Sequence, residues 1–532
     1  MTVRIASTLF AGLSLLIAAE ALTARPNIVF ILSDNQTAGA TSPYGNRDVR
    51  TPNLEQLARD GVRFSHAYAA SGLCSPTRAT LMTGLMPSQH GLHNALFDPW
   101  VDGLDPGWNA VAEFRTVPYT LARRGYRTAM IGKWHLGDTR EPSLGFQHWV
   151  ALPYGHTMDF WNNELVENGQ RYAVKDRHIV DVLTEKAVEY LASVDGDKPF
   201  YLQLNLDGPY SLPPSNHGPG RNRHYASYAG KPFRSMPMEP ISDQVLSRLG
   251  GPYDPDYEFG VSDLDAVWDY ILYGTIRMQG DRESYANFLS QNTVVDDAVG
   301  RVIDALKARG LLESTVIVFS SDQGNLFGQH GTWGHTMWFT PAHLYEEAMH
   351  VPLIVRAPGG PAGVVSDRLI GQYDVPATLL ALAGVEDAEL EGSPGRSFAS
   401  DFTGGEPPAD WNEAVYFEQE ESRGLRTQRY AYWKRLDDLG EPALFDMQAD
   451  PEQRIDLYPK LRESELVERL DGMLESWFDR YADPAYDLWA KGVAKGTTPK
   501  PGMWVQRNPW PWIRKYWQDF VTEPPSPPAF SE

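Results

Sequence analysis

The sequence predicts an α/β protein: a large mixed, mainly parallel sheet flanked by helices, followed by a smaller C-terminal subdomain of antiparallel sheet and helix. Three observations carry this. Asn27–Leu32 and Ser314–Ser321 are apolar, β-branched runs of the kind that a strand buried on both faces requires. Each leads straight into polar residues, Asp34-Asn35 and Asp322-Gln323, and ligands of open α/β sheets bind beyond such strand ends. After a Gly/Pro-rich break at 403–410, the pattern changes to short strands in close succession.

The 532 residues exceed the usual size of one domain, and an apolar share of 42 % with 22 % charged residues is ordinary for a globular chain. A formal charge of −22 argues against nucleic acid or an anionic membrane as partner. Residues 1–24 read as a signal peptide, with Arg4 before an apolar stretch from Leu9 to Ala19 and small residues at Ala19, Ala21 and Ala24. That stretch is too short for a comfortable membrane span and no later one reaches its length, so an exported protein, periplasmic or extracellular, is expected. A lone cysteine, Cys74, suits export because it has no partner to mispair with.

In chain order, Thr51–Gly61 has Pro near its start and Gly at its end, as a capped helix does. Arg127–Ile131 is a short strand ending in Gly132-Lys133-Trp134-His135-Leu136-Gly137, and Lys198–Leu206 is the next strand. Residues 218–257, rich in Gly, Pro and aromatics, form a long insertion loop, with Arg221–His224 at a substrate entrance or simply solvated. Glu283–Arg309 is an amphipathic helix stopped by Gly310. Val351–Pro358 is a strand and Asp374–Gly384 a helix. Short strands at Ala414–Glu418, Gly424–Thr427, Tyr430–Arg435 and Ala443–Asp446 precede a helix at Leu461–Tyr481. The expected divisions are 1–24, 25–403, 411–482, and a Pro/Trp-rich tail, 483–532, whose tryptophans dock it onto the body.

The chemistry centres on Ser71–Gly84. Ser75-Pro76 reads as an N-cap with proline in the first turn, setting Cys74 just before a helix N-terminus that favours an anion. Arg78, about one turn on, adds a permanent charge. Cys74, Pro76, Arg78, Thr83 and Gly84 occupy five fixed places in a window of eleven, a pattern that resembles the signature of the type I, formylglycine-dependent sulfatases of the alkaline phosphatase superfamily. Gly-Lys-Trp-His-Leu-Gly at 132–137 resembles that family's second motif.

The resemblance implies that Cys74 is converted to formylglycine by a formylglycine-generating enzyme, and that the hydrated aldehyde attacks sulfur. It gives Arg78 and Lys133 to the sulfate oxygens and His135 to the proton of the hydrate. It assigns a divalent cation to Asp34, Asn35, Asp322 and Gln323, with residue 74 itself at the ion; hard oxygen donors favour Ca2+, with Mg2+ possible. The family commonly has charged partners where Asn35 and Gln323 stand, which lowers the expected cation affinity. Its leaving-group histidine and lysine are replaced by Tyr210 and His335, with His343 and His217 as rivals for the proton. His90 is expected to be structural. A sulfated carbohydrate is the preferred substrate, on export, long loops and aromatic content. A phospho- or phosphonate-monoester hydrolase, an arylsulfatase or choline sulfatase, and an inactive glycan-binding relative stay open.

Overall fold

The computed structural model describes residues 25–495 apart from 97–106, 154, 156–158, 211–214, 247–273, 337–341, 386–389, 405–407, 409 and 437–438. The proposed signal peptide and the tryptophans at 504, 510, 512 and 517 lie outside the described residues.

The first strand, β1 (Asn27–Asp34), is buried along its whole length. Its alternating side chains divide between two cores: Ile28, Phe30 and Leu32 pack in one, Val29 and Ile31 in the other. This is why the run is continuous in apolarity rather than alternating. The further strands of its sheet are β2 (Val62–Tyr68), β3 (Arg127–Gly132), β4 (His148–Ala151), β5 (Asn163–Glu167), β6 (Gln170–Val174), β7 (Phe200–Pro209) and β8 (Thr315–Ser321). After a two-residue pair, β9 (Leu326–Phe327) and β10 (Trp333–Gly334), come β11 (Leu353–Arg356) and β12 (Val364–Gly371). The order is β12-β2-β11-β8-β1-β7-β3-β4-β5-β6. β1 pairs in parallel with β7 and β8, and β3 with β7 and β4, whereas β11, β5 and β6 run antiparallel to their neighbours. The expected mixed, mainly parallel sheet is thus present.

Several elements extend beyond their local signals. β1 continues through Ser33 to Asp34, and β7 continues through Asp207 and Gly208 to Pro209. The Ser75-Pro76 cap expected from sequence is corrected. The helix is Cys74–Thr83, its N-cap is Leu73, and Cys74 is its first residue. Ser75 does not cap because its hydroxyl is engaged elsewhere, donating to the His135 carbonyl at 2.8 Å and accepting from Leu96 N at 3.1 Å. The long helix begins at Arg282, where Asp281 accepts from Glu283 N and Ser284 N, and the last helix begins at Glu465, capped by Ser464.

A second, four-stranded antiparallel sheet has the order β13 (Ala414–Gln419), β14 (Ser422–Thr427), β15 (Tyr430–Arg435), β16 (Ala443–Asp446). The Glu465–Tyr481 helix lays Val467, Leu470, Leu474 and Phe478 on it, an apolar stripe at helical spacing. The segment after this helix is docked: Asp483 N donates to Ser88 O at 3.0 Å, and Arg423 stands 4.8 Å over the Trp489 ring.

One buried ion pair fastens the second sheet to the first unit. Arg426 of β14 donates to Glu346 at 3.2 Å, and Tyr68 of β2 donates to the same carboxylate at 2.7 Å. Burial alone would raise the Glu346 pKa, but Arg426, His350 and the Tyr68 hydroxyl outweigh it and hold the carboxyl below its ordinary value. A depressed carboxylate stabilises above its unfolded pKa and ceases to do so as pH falls through the folded one. Arg426→Met, which strands a buried carboxylate, is expected to cost about 3 kcal/mol at pH 7. The difference from the parent should shrink as pH falls and Glu346 protonates; denaturant unfolding at pH 7 and in acid measures it.

Candidate active site

The site lies beyond the carboxyl ends of β1 and β8. These strands are hydrogen-bonded neighbours with Ser33 opposite Ser321, so the two polar turns that follow meet. Asn35 N donates to Asp322 Oδ1 at 3.2 Å and Gln36 N to Ser321 Oγ at 3.0 Å. Asn35 holds a left-handed backbone, φ 58°, a conformation asparagine tolerates better than most residues. The Cys74–Thr83 helix, buried at all ten positions, points its N-terminus at these turns. Cys74 Sγ lies 3.9 Å from Asp34 Oδ1, 3.9 Å from Asn35 Oδ1 and 3.1 Å from Gln323 Nε2.

Two cations close the pocket. Arg78 donates through Nε at 2.9 Å and Nη2 at 2.7 Å to Asp322 Oδ2, and reaches Asp34 Oδ2 at 3.4 Å. Lys133 Nζ pairs with the same Asp34 oxygen and stands 5.1 Å over the Tyr210 ring. Burial acts to lower the Lys133 pKa, but Asp34 and the neighbouring groups outweigh it and the ammonium stays charged. Burial and the adjacent Asp34 push the Asp322 carboxyl up, while four donors from Arg78, Asn35 N and Gln323 N hold the charge on it. Burial pushes the Cys74 thiol up to about 12, with Asp34 and Asp322 opposing the help of Lys133 and Arg78. An unmodified Cys74 is therefore a neutral thiol at pH 7, a poor nucleophile.

The two histidines sit on different walls. His135, at φ 60°, donates from Nε2 to the Leu96 carbonyl at 2.6 Å, which leaves Nδ1 as the basic nitrogen of the neutral ring. His335 donates from Nε2 to Asn35 Oδ1 at 3.0 Å, on the turn that follows β1. Tyr210 is buried, and its N–H donates to Asp34 O at 3.2 Å. Of the rivals, His343 is buried, hydrogen-bonded to the His335 backbone and 4.9 Å from the Tyr345 ring, and His217 is exposed. His90 has Nε2 3.3 Å from Thr80 Oγ1 and accepts from Leu92 N, a structural engagement. Arg223 and His224 pair with Asp297 on the long helix, so this part of the insertion loop is an ion-paired surface.

Three amide side chains escaped the sequence reading. Asn205 Nδ2 donates to the Lys133 carbonyl at 2.8 Å, while Lys133 N donates to Asn205 O at 3.0 Å, fixing the lysine's backbone. Gly132 is required beside them: at φ 118°, a Cβ there would come within 1.8 Å of Asn205 O. Gln372 accepts from Ala70 N at 3.0 Å and donates to the Ser321 and Asp322 carbonyls, joining the cysteine loop to the β8 turn. Gln419, in the second sheet, accepts from Ser71 Oγ at 2.6 Å and donates to His93 O at 3.1 Å. No local spacing marks any of them.

The donor set fits a hard divalent cation. Asp34, Cys74 and Asp322 each present an atom within 4.8 Å of the others. Gln323 Oε1 is buried without a hydrogen-bond partner, while Nε2 of the same amide faces Asn35 Oδ1 and Cys74 Sγ. The two ends of an amide exchange by a half-turn. Turned, the orphaned oxygen meets Asn35 Oδ1, and two carbonyl oxygens so placed call for a cation between them.

The Sulfatase family model matches residues 26–385, and the model for the C-terminal part of N-sulphoglucosamine sulphohydrolase matches 334–479. An N-acetylglucosamine-6-O-sulfatase of Bacteroides thetaiotaomicron is 29 % identical over 511 residues, 87 % of this chain and 88 % of that protein. Human arylsulfatase A is 28 % identical over 396 residues, 70 % of this chain and 67 % of that one. A protein solved in complex with its substrate, D-glucosamine-2-N,6-O-disulfate, superposes with a TM-score of 0.69 at 27 % identity, covering 87 % of this chain and 99 % of that one. Because the family model spans well over half of its length, this chain belongs to the sulfatases, hydrolases of sulfuric esters.

Proposed function

We propose that the protein removes sulfate from a sulfated carbohydrate, an amino sugar first among the candidates, using a formylglycine made from Cys74. The observation that carries the reading is the position of Cys74: a buried helix N-terminus facing two carboxylate turns, with Arg78 and Lys133 closing the pocket. The sugar is supported by the relatives, one named for N-acetylglucosamine 6-sulfate and one solved with a glucosamine disulfate. Export through residues 1–24 would place the enzyme where such glycans occur.

The hydrated aldehyde at position 74 supplies one hydroxyl to attack sulfur and a second whose deprotonation releases sulfate. Asp34, Asn35, Asp322 and Gln323 would hold a divalent cation, Ca2+ or Mg2+, which would supply Lewis-acid stabilisation of the sulfuryl oxygens. Arg78 and Lys133 add fixed positive charge in a pocket that excludes water, where it acts most strongly on charge developing in the transition state. His135 takes the hydrate proton at Nδ1, its ring being oriented by the Leu96 carbonyl. As an imidazolium, with its Nε2–H held by Asn35 Oδ1, His335 donates its other ring proton to the oxygen of the departing alcohol. Tyr210 holds the Lys133 ammonium under its ring and bounds the pocket.

Cys74→Ala is expected to abolish turnover of a glucosamine 6-sulfate without lowering the melting temperature; retained turnover would rule the mechanism out. Mass spectrometry of the parent's Cys74 peptide, made beside a formylglycine-generating enzyme, should find the aldehyde in place of the thiol. Asn35→Asp, which adds a carboxylate to a ligand set that now has two, should tighten Ca2+ binding about tenfold, ~1.4 kcal/mol by calorimetry. Unchanged affinity would remove residue 35 from the ligands.

A further inference from the structure

We infer that Ser75 is a positioning residue, the side chain that sets the imidazole of His135 in place; this rests on the reading of His135 as the base that serves residue 74. Ser75 is the second residue of the Cys74–Thr83 helix and is wholly buried. Its hydroxyl is turned away from the helix, to partners on two other segments. Three hydrogen bonds close a circuit through it. Ser75 Oγ donates to the His135 carbonyl at 2.8 Å, His135 Nε2 donates to the Leu96 carbonyl at 2.6 Å, and Leu96 N donates back to Ser75 Oγ at 3.1 Å.

Each bond fixes something that the next one needs. The bond to the His135 carbonyl holds that residue at φ 60°, a left-handed backbone that a residue with a Cβ keeps only under restraint. The bond from Leu96 N holds the segment whose carbonyl meets the ring. That carbonyl has no proton to give, so the ring proton lies on Nε2 and the lone pair on Nδ1. Gly155 packs against the same ring: at φ 86°, a Cβ there would come within 2.9 Å of His135 Cδ2 and 3.1 Å of its Cα.

The proton to be moved leaves a hydroxyl of residue 74 for Nδ1 of His135, and the two residues belong to segments far apart in the chain. Ser75, one peptide bond from residue 74 and 60 positions from His135, ties the two segments directly. The neighbour of residue 74 thereby sets the distance and angle at which the imidazole meets it, and proton transfer is sensitive to both. A hydroxyl that only seated the helix would act without regard to the imidazole. One that acts through the imidazole ceases to matter once the imidazole is gone.

The test is a double-mutant cycle on protein made beside a formylglycine-generating enzyme. Rates are taken per molecule carrying the aldehyde, counted by mass spectrometry, because Ser75 adjoins the residue that is matured. The substrate is para-nitrophenyl sulfate, whose leaving group departs without a proton and which does not depend on the choice of sugar. Ser75→Ala should lower kcat about tenfold with KM within about twofold, and His135→Ala should lower kcat about a hundredfold. In the His135→Ala background, Ser75→Ala should cost nothing further. A second tenfold loss there, or no loss in Ser75→Ala alone, overturns the proposal. Exchange of the His135 Nε2 proton with solvent needs no turnover; NMR of isotope-labelled histidine follows it, assigned by its absence in His135→Ala. It should quicken about tenfold in Ser75→Ala, and an unchanged rate likewise overturns the proposal. Gly155→Ala, which presses on the same ring, should give the same pattern; unchanged exchange and turnover would remove Gly155 from the placement. If exchange quickens in Ser75→Ala yet His135→Ala turns over like the parent, Ser75 places a ring that is not the base, and the mechanism proposed above fails instead.

Discussion

The organising constraint is the meeting of two carboxylates with two cations in a place water does not reach. Asp34 and Asp322 arrive on adjacent parallel strands and are both buried, so neither can keep its charge alone. Arg78 answers both from the Cys74–Thr83 helix and Lys133 answers Asp34 from the end of β3, so four elements are locked by one electrostatic requirement. The sheet sets the carboxylates; the cations set where the helix and the β3 turn must lie. Formally the four charges cancel, which leaves a pocket able to accept a divalent cation and an anionic ester together. This reconciles a chain with a charge of −22 with an anionic substrate.

The second sheet is part of this arrangement rather than an appendage. Its β13–β14 turn places Gln419 against Ser71 and His93, Glu421 against Ala342 N, and Glu418 against Ser88 N. The loops on either side of the Cys74–Thr83 helix are thus held by residues more than 300 positions away in sequence. The Glu346–Arg426 pair fixes the angle from which that turn approaches.

The legible parts of this protein were those with local signals. β1 and β8 announce themselves because double-sided burial demands unbroken apolarity, and the acidic turns follow at once. The Cys74 motif is legible because a helix start, an arginine one turn on and a closing Thr-Gly all fall within eleven residues. The helix boundary was not, because Ser75 had a tertiary partner that its sequence neighbours do not reveal. Asn205, Gln372 and Gln419 were beyond reach for the same reason, each being an amide whose purpose lies on a distant backbone. The β5–β6 hairpin was not anticipated, although its Asn168-Gly169 turn, both residues at positive φ, has the chemistry of a tight hairpin.

The burial of Cys74 has a consequence for the order of events in the life of the chain. Its side chain is 4 % exposed, at the start of a helix covered on every side. Any catalyst that rewrites this residue needs the surrounding peptide extended in its own cleft, and the finished fold never offers it that way. Under the proposed maturation, the chemical identity of residue 74 would be decided before the sheet closes, in a race between an encounter and a collapse. On that proposal, slowing the collapse would raise the fraction of working molecules without altering a single contact in the native state.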